Sequence, residues 1–324
     1  MKLLGYVRQS WAILWASFLF GTSKIPKKNM TIVNPHAVTA QKALSLLKEL
    51  SSSLDGWEFS EEKTGVKLYR KADDTSPISI VRGETDLEGH EFTTQQVASV
   101  ATLPGCRKIW DEKFDTSEIK EMYSRHESLF WSKLRAPWPV YPRDIAGTSL
   151  RETSDTECCV VMTSVEDEAI PEVSGCVRAN LIVSGWVITK TDTGIHVTYI
   201  TQIDLAGYIP TSFLKGIEQQ VPLCAGAVVN FIKEHGFAPT TIECTARFKS
   251  EEFEHDTKEY ACNVDATGDV KWVVSTKMYP NDINVSIIGS GGNAKFVIDL
   301  DDKKNQVVTV TGINGPTTIK ITSK

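Results

Sequence analysis

The sequence predicts an α+β domain, a curved antiparallel sheet with a long helix near its end, followed by an all-β sandwich. Three observations predict it. Long β-type runs occupy residues 117–135, 144–152, 157–166, 176–190 and 195–205. A single apolar stripe then follows over 209–235, with Phe213, Ile217, Val221, Cys224, Val228 and Phe231 spaced by three or four, as on one helix face. Beyond Pro239 the chain changes to short apolar runs separated by turn signals, the pattern of a sandwich.

The elements follow in order. Val38, Ala40, Leu44, Leu47 and Leu50 predict a helix over 36–54, stopped by "SSSLDG". Residues 57–90 alternate as strands, with "DDTSP" as a turn. Residues 91–112 read as helix broken at Pro104-Gly105. In the 209–235 helix, Pro210 suits the first turn, Pro222 should kink it, and Gly236 ends it. After it come "IECTARF", "KEYACNV", "KWVVSTKMY", "NVSIIGS", "AKFVIDL", "QVVTVTGI" and "TTIKITS", a sandwich of about seven strands. The domain boundaries read from this are an apolar segment at 1–30, an α+β domain at 36–236 and a β-sandwich at 240–324.

The composition is that of an ordinary soluble globular protein, 41% apolar and 23% charged. A net charge of −6 argues against a nucleic-acid partner, which calls for a basic face. The seven cysteines (106, 158, 159, 176, 224, 244 and 262) form no CxxC pair and no metal-ligand spacing with histidine, so neither metal nor cofactor is expected. Their odd number and scatter favour buried free thiols in a reducing compartment, hence the cytoplasm.

"WAILWASFLF" at 11–20 is followed by the basic cluster Lys24, Lys27 and Lys28. It is short against the about 20 apolar residues of a membrane span. Two readings fit it: a membrane-surface or hairpin anchor with a basic collar, or a secretory signal cleaved near Ser23.

"APWPVYPRD" at 136–144 is the most informative loop. Pro137, Pro139 and Pro142 cannot donate to a β ladder, so it is not interior sheet. A loop that carries Trp138 and Val140 outward calls for something to cover them.

The ordered set "GVKLYRK", "WDEKFD", "PRD", "SVED", "SGCVRA", "GWVI" and "VTYITQIDLAGYIP", with the helix after it, resembles the START (StAR-related) lipid-transfer domain over residues 45–236. The resemblance implies a helix-grip fold, in which the curved sheet grips the long C-terminal helix around one lipid-sized tunnel. It also implies lipid carriage between membranes without chemical conversion, so no enzyme. The partners implied are a lipid ligand and a membrane surface. The loop before the "RD" pair would lie at the tunnel mouth, making Trp138 and Val140 membrane-contacting lid residues, with Tyr208 and Ile209 on the second lip.

Strand alternation then gives the lining. The inward residues expected are Phe130, Ser132 and Leu134; Ile145, Gly147 and Ser149; Val160, Met162 and Ser164; and Val197, Tyr199, Thr201 and Ile203. The helix would add Phe213, Ile217, Gln220, Val221, Cys224 and Val228. This mixture suits a sterol or another neutral lipid such as ceramide or diacylglycerol. Arg143 and Asp144 read as a structural ion pair, Trp110 as core, Asp111 as a turn acid and Arg178 as paired with a carboxylate.

Two rival readings remain. A non-transferring lipid sensor or scaffold would signal through residues 240–324, a candidate docking surface for a protein partner. A hydrolase or cyclase rests on fold analogy alone, since no G-x-S-x-G, H-E-x-x-H or Walker loop is present. "GSGGNA" at 289–294 reads as a hairpin turn, not a dinucleotide loop.

Overall fold

A computed structural model describes residues 33–73, 78–207, 209, 211–289 and 293–324, without the side chains of 211–215. The expected segment 1–30, most of the "DDTSP" turn, the centre of "GSGGNA", Tyr208 and the Phe213 side chain lie outside the described residues. The described residues form one compact unit.

The chain opens with helix α1 (Ala37–Ser52) and strands β1 (Glu58–Lys63), β2 (Val66–Lys71) and β3 (Ile80–Glu88). Helices α2 (Thr94–Thr102) and α3 (Pro104–Trp110) follow. Then come β4 (Phe114–Ser124), β5 (Glu127–Leu134), β6 (Arg143–Thr153), β7 (Glu157–Ser164), β8 (Val177–Arg178), β9 (Asn180–Lys190) and β10 (Gly194–Asp204). Helix α4 (Thr211–Gln220), a 3₁₀ turn (Val221–Leu223) and α5 (Cys224–His235) complete this part. The strands build one sheet in the order β1-β2-β3-β10-β9-β7-β6-β5-β4, all antiparallel, with β8 alone parallel to β6.

Strand alternation gives the sheet two apolar faces. Cys159, Val161, Val183, Val187 and Ile200 pack against Leu44, Leu47 and Leu50 of α1. Cys158, Val160, Trp186, Ile188, Val197 and Tyr199 face the layer that holds α2 and α5. Arg82 on β3 satisfies the end of α1, donating to the carbonyls of Leu50 at 2.8 Å, Ser53 at 2.9 Å and Ser51 at 3.3 Å. A cation at the C-terminal end of a helix also complements its dipole.

The expected run 117–135 is two strands. The turn between β4 and β5 has no Gly, Pro or Asn to announce it. Instead the Ser124 hydroxyl accepts from the His126 N–H at 3.1 Å, a side-chain turn that sequence punctuation does not reveal. Pro222 does more than kink the long helix: it divides it into α4 and α5 through the 3₁₀ turn. That turn sits directly on β3, where a Cβ added to Gly83 would lie 2.0 Å from the Pro222 carbonyl oxygen.

The C-terminal region has eight strands rather than about seven: β11 (Thr240–Cys244), β12 (Arg247–Glu254), β13 (Glu259–Asp265), β14 (Thr267–Val274), β15 (Ile283–Gly289), β16 (Lys295–Leu300), β17 (Gln306–Asn314) and β18 (Thr317–Ser323). They form two four-stranded sheets, β11-β14-β17-β16 and β12-β13-β18-β15. Buried Phe248, Tyr260, Cys262, Ile319 and Ile321 of one sheet share a cluster with Val270, Trp272, Val308 and Val310 of the other. Trp272 Nε1 donates to the Tyr260 hydroxyl across the gap at 3.0 Å. The same cluster continues without a break into Val97, Phe231 and Phe237. Along that seam a Cβ on Gly105 of α3 would meet the Phe253 carbonyl oxygen of β12 at 1.8 Å.

Both glycines permit backbone contacts that a methyl group forbids. Gly83→Ala and Gly105→Ala should each lower stability by about 1–3 kcal/mol, as overpacking does. Urea unfolding measures this; midpoints equal to the parent chain would contradict the close approaches.

Candidate functional site

A cavity of about 180 Å³ lies between the inner face of β4–β7, the helices α2 and α3, and strands β11 and β12. Its apolar wall includes Leu103, Ile119, Met122, Phe130, Val160, Met162 and Phe248. Ser99, Ser128, Ser132 and Ser149 interrupt that surface. The wall opposite the sheet thus comes from α2, α3 and the C-terminal strands, and the open volume lies beside α5.

Of the residues expected to line a tunnel, Phe130, Ser132, Ser149, Val160 and Met162 are on this wall. Leu134, Ile145 and Ile203 form a small apolar cluster with Phe130, Ala179 and Leu181 next to it. Gly147 makes room for the Phe130 ring, 2.6 Å from where a Cβ would stand. Ser164 accepts from the Leu181 N–H at 2.8 Å and Thr201 donates to the Val183 carbonyl at 3.2 Å, so backbone satisfies both. Val197, Tyr199 and Val228 belong to the packed layer under α5, with Val221 and Cys224 against it. There Tyr199 lies on Trp186 at 4.4 Å and meets the Ser184 hydroxyl at 2.9 Å. Burial pushes the Tyr199 hydroxyl and the Cys224 thiol each up to about 12. Ile217 is half-buried and Gln220 exposed on α4.

The sequence reading missed the charged part of the wall: Arg107, Arg125, His126, Glu127, Arg151 and Glu251. Arg107 Nε pairs with Asp111 at 2.9 Å, and Asp111 also accepts the Lys113 N–H at 3.0 Å. Beside it Trp110 donates to the Val100 carbonyl at 3.0 Å and meets Trp186 edge-on at 6.0 Å. Arg125 donates to the Thr241 carbonyl at 3.2 Å, and Arg151 to the Thr102 hydroxyl at 2.8 Å. The Tyr260 hydroxyl donates to Glu251 at 2.9 Å, while burial raises the Glu251 carboxyl above its ordinary value. Burial first, and then Arg125 and Arg151, hold His126 below the usual histidine range.

At the other end of β5, the two loops expected to be lips meet. In the first, Trp138 is 92% exposed and Tyr141 67% exposed, while Val140 is half-buried. In the second, Ile209 is half-buried. One buried side chain joins them: Arg143 donates to the Leu205 and Ala206 carbonyls, both at 3.1 Å, and to the Tyr141 carbonyl. Arg143 and Asp144 are therefore not an ion pair. As neighbours on a strand they point to opposite faces, and Asp144 instead accepts from Arg178 at 2.8 Å and from Trp131 Nε1 at 2.9 Å. All seven cysteines are free thiols. No described helix is long and apolar enough to cross a membrane.

The profile of the START domain matches residues 38–235. This chain belongs to the START domain family. Its fold is similar to human StAR-related lipid transfer protein 5, 19% identical, with a TM-score of 0.55 over 61% of this chain and 96% of that one. It is also similar to human STARD10, 16% identical, with a TM-score of 0.54 over 64% and 84% of the two chains. An uncharacterised Pseudomonas aeruginosa protein, PA1579, is 23% identical over 171 residues, 52% of this chain and 82% of its own length. At these identities the likeness of structures is one of fold. The START match ends before β11, so the strands that close the cavity lie outside it.

Arg143 holds both START lips by charge-assisted bonds, each worth about 1.5–3 kcal/mol when buried. Arg143→Gln should lower stability by about 3 kcal/mol and speed amide hydrogen exchange in both lips together. Faster exchange in only one loop would contradict the shared anchor.

Proposed function

We propose that this protein binds one lipid in the cavity and carries it between membranes, loading through the lips. The observation that carries this reading is the largely apolar cavity on the inner face of a START sheet, with an exposed indole in the loop at the other end of β5. Family membership and the lipid-transfer neighbour support it. In this reading Phe130, Ser132, Ser149, Val160 and Met162 touch the lipid, and Leu134, Ile145 and Ile203 line its path to the lips. Trp138, Val140, Tyr208 and Ile209 meet the bilayer. In this reading residues 36–236 bind the lipid and residues 240–324 form the β-sandwich. Seven free thiols suit the cytoplasm.

The energetics favour a carrier over free diffusion. Each methylene gains about 0.8 kcal/mol on leaving water, so a chain of about 16 faces a barrier on the order of 10 kcal/mol in water. Bilayer to apolar cavity is nearly neutral by the same rule, so a mouth that touches the membrane removes the barrier. No bond in the lipid needs to change.

The cavity of about 180 Å³ is smaller than the about 300–1,000 Å³ of common ligand sites, so a whole lipid needs more room. The expectation of a sterol, ceramide or diacylglycerol rests on an uncharged lining. Arg125, Arg151 and Glu251 on the wall remove that ground.

A second reading, a sensor that signals through the β region, is favoured by one observation: Thr241, Phe248, Ser250 and Glu251 line the cavity, so its occupant touches that region. Transfer of labelled lipid between donor and acceptor vesicles separates the two. The carrier reading expects movement, and tight binding without movement supports the sensor. Burying one large apolar side chain is worth about 1.5–3 kcal/mol, so Trp138→Ala should reduce transfer roughly tenfold. An unchanged rate would exclude Trp138 from the membrane contact.

A further inference from the structure

Resting on the lipid-binding reading above, the cavity has a second end whose chemistry differs from the first. Strand β5 leads from the Arg125–His126 turn, on the cavity wall, to the lips about 25 Å away at about 3.3 Å per residue, and the cavity wall on it reaches as far as Ser132. At the far end, the β4–β5 turn supplies Arg125 and His126, β5 begins with Glu127, β6 supplies Arg151 and β12 supplies Glu251, all on the cavity wall. The Arg151 N–H donates to the His126 carbonyl at 2.8 Å, which fixes the two strands against each other.

The charges here are unevenly matched. Glu127 is occupied, accepting from Asn34 Nδ2 at 3.2 Å and from the Ser124 hydroxyl at 3.5 Å. Glu251 is occupied by the Tyr260 hydroxyl, and its burial favours the protonated form. Arg125 and Arg151 each make one bond to a neutral oxygen, and among the described residues neither is in an ion pair. His126 Nδ1 is buried and has no hydrogen-bond partner among the described residues. Glu251 lies within electrostatic reach of Arg151 and Arg125, but among the described residues it forms an ion pair with neither and is bonded by Tyr260 instead.

We propose that this end of the cavity is an anion subsite, in which Arg125 and Arg151 receive the carboxylate or phosphate monoester head of a single-chain acidic amphiphile. Guanidinium forks match both groups. His126, in the tautomer protonated at Nδ1, donates the third bond. The chain of the amphiphile lies along Phe130 and Met162 toward the lips. The β region closes the pocket over the head, so a residue outside the START match helps choose the ligand.

The test uses the whole chain and three probes with one tail: dodecanoate, dodecyl phosphate and dodecanol, each titrated by calorimetry. At least one anion should bind roughly tenfold or more tightly than the alcohol, the strength expected of charge-assisted bonds. Which anion binds best tells carboxylate from phosphate. In an Arg125→Gln/Arg151→Gln chain the preference for the anion should vanish. Dodecanol binding as tightly as both anions in the parent chain overturns the subsite and leaves the lipid cavity standing. Failure of all three to bind overturns both. If the double variant does not fold, the parent ratio decides.

Discussion

The contact on which the structure depends is the seam between α3 and β12. There the Phe253 carbonyl rests against Gly105 with no room for a side chain. That closeness brings Phe248, Ser250 and Glu251 over the inner face of the sheet and turns an open groove into a cavity. The apolar cluster that runs across the seam supplies the driving force. The polar groups beside it are then held at fixed positions, which a mobile linker between two domains would not do.

The two ends of the sheet are built differently. At the lips a single buried guanidinium gathers three backbone carbonyls and leaves an indole in solvent. At the far end two guanidiniums keep most of their donors unspent among the described residues. Between them the wall is apolar with scattered hydroxyls. An amphiphile suits such a gradient, because its tail and head each find matching surroundings.

Much of this was legible in the sequence. The 3.6-residue stripes marked α1 and α5, and the alternation in 127–134 and 157–164 put Phe130, Ser132, Val160 and Met162 on the face where they stand. The prolines of 136–142 announced an ordered exposed loop. What escaped was carried by residues with other local meanings. The Ser124–Glu127 turn is made by a hydroxyl, without Gly, Pro or Asn. Strand β12, "RFKSEEFE", is an edge strand whose Arg247, Glu252 and Glu254 face solvent, so its charge hid it among the apolar runs. Arg143 and Asp144 looked like a pair because adjacency in sequence hides the alternation of a strand. No periodicity could show that α5 packs solidly on Trp186 and Tyr199 while the opening lies beside it.

The central claim is that a lipid occupies the space between the sheet and β12. The most direct measurement is photo-crosslinking with a long-chain lipid that carries a diazirine on its tail, followed by peptide mapping. The account predicts adducts on the wall, at Met162, Phe130 and Phe248, that excess unlabelled lipid abolishes. Adducts confined to outward-facing residues would contradict it.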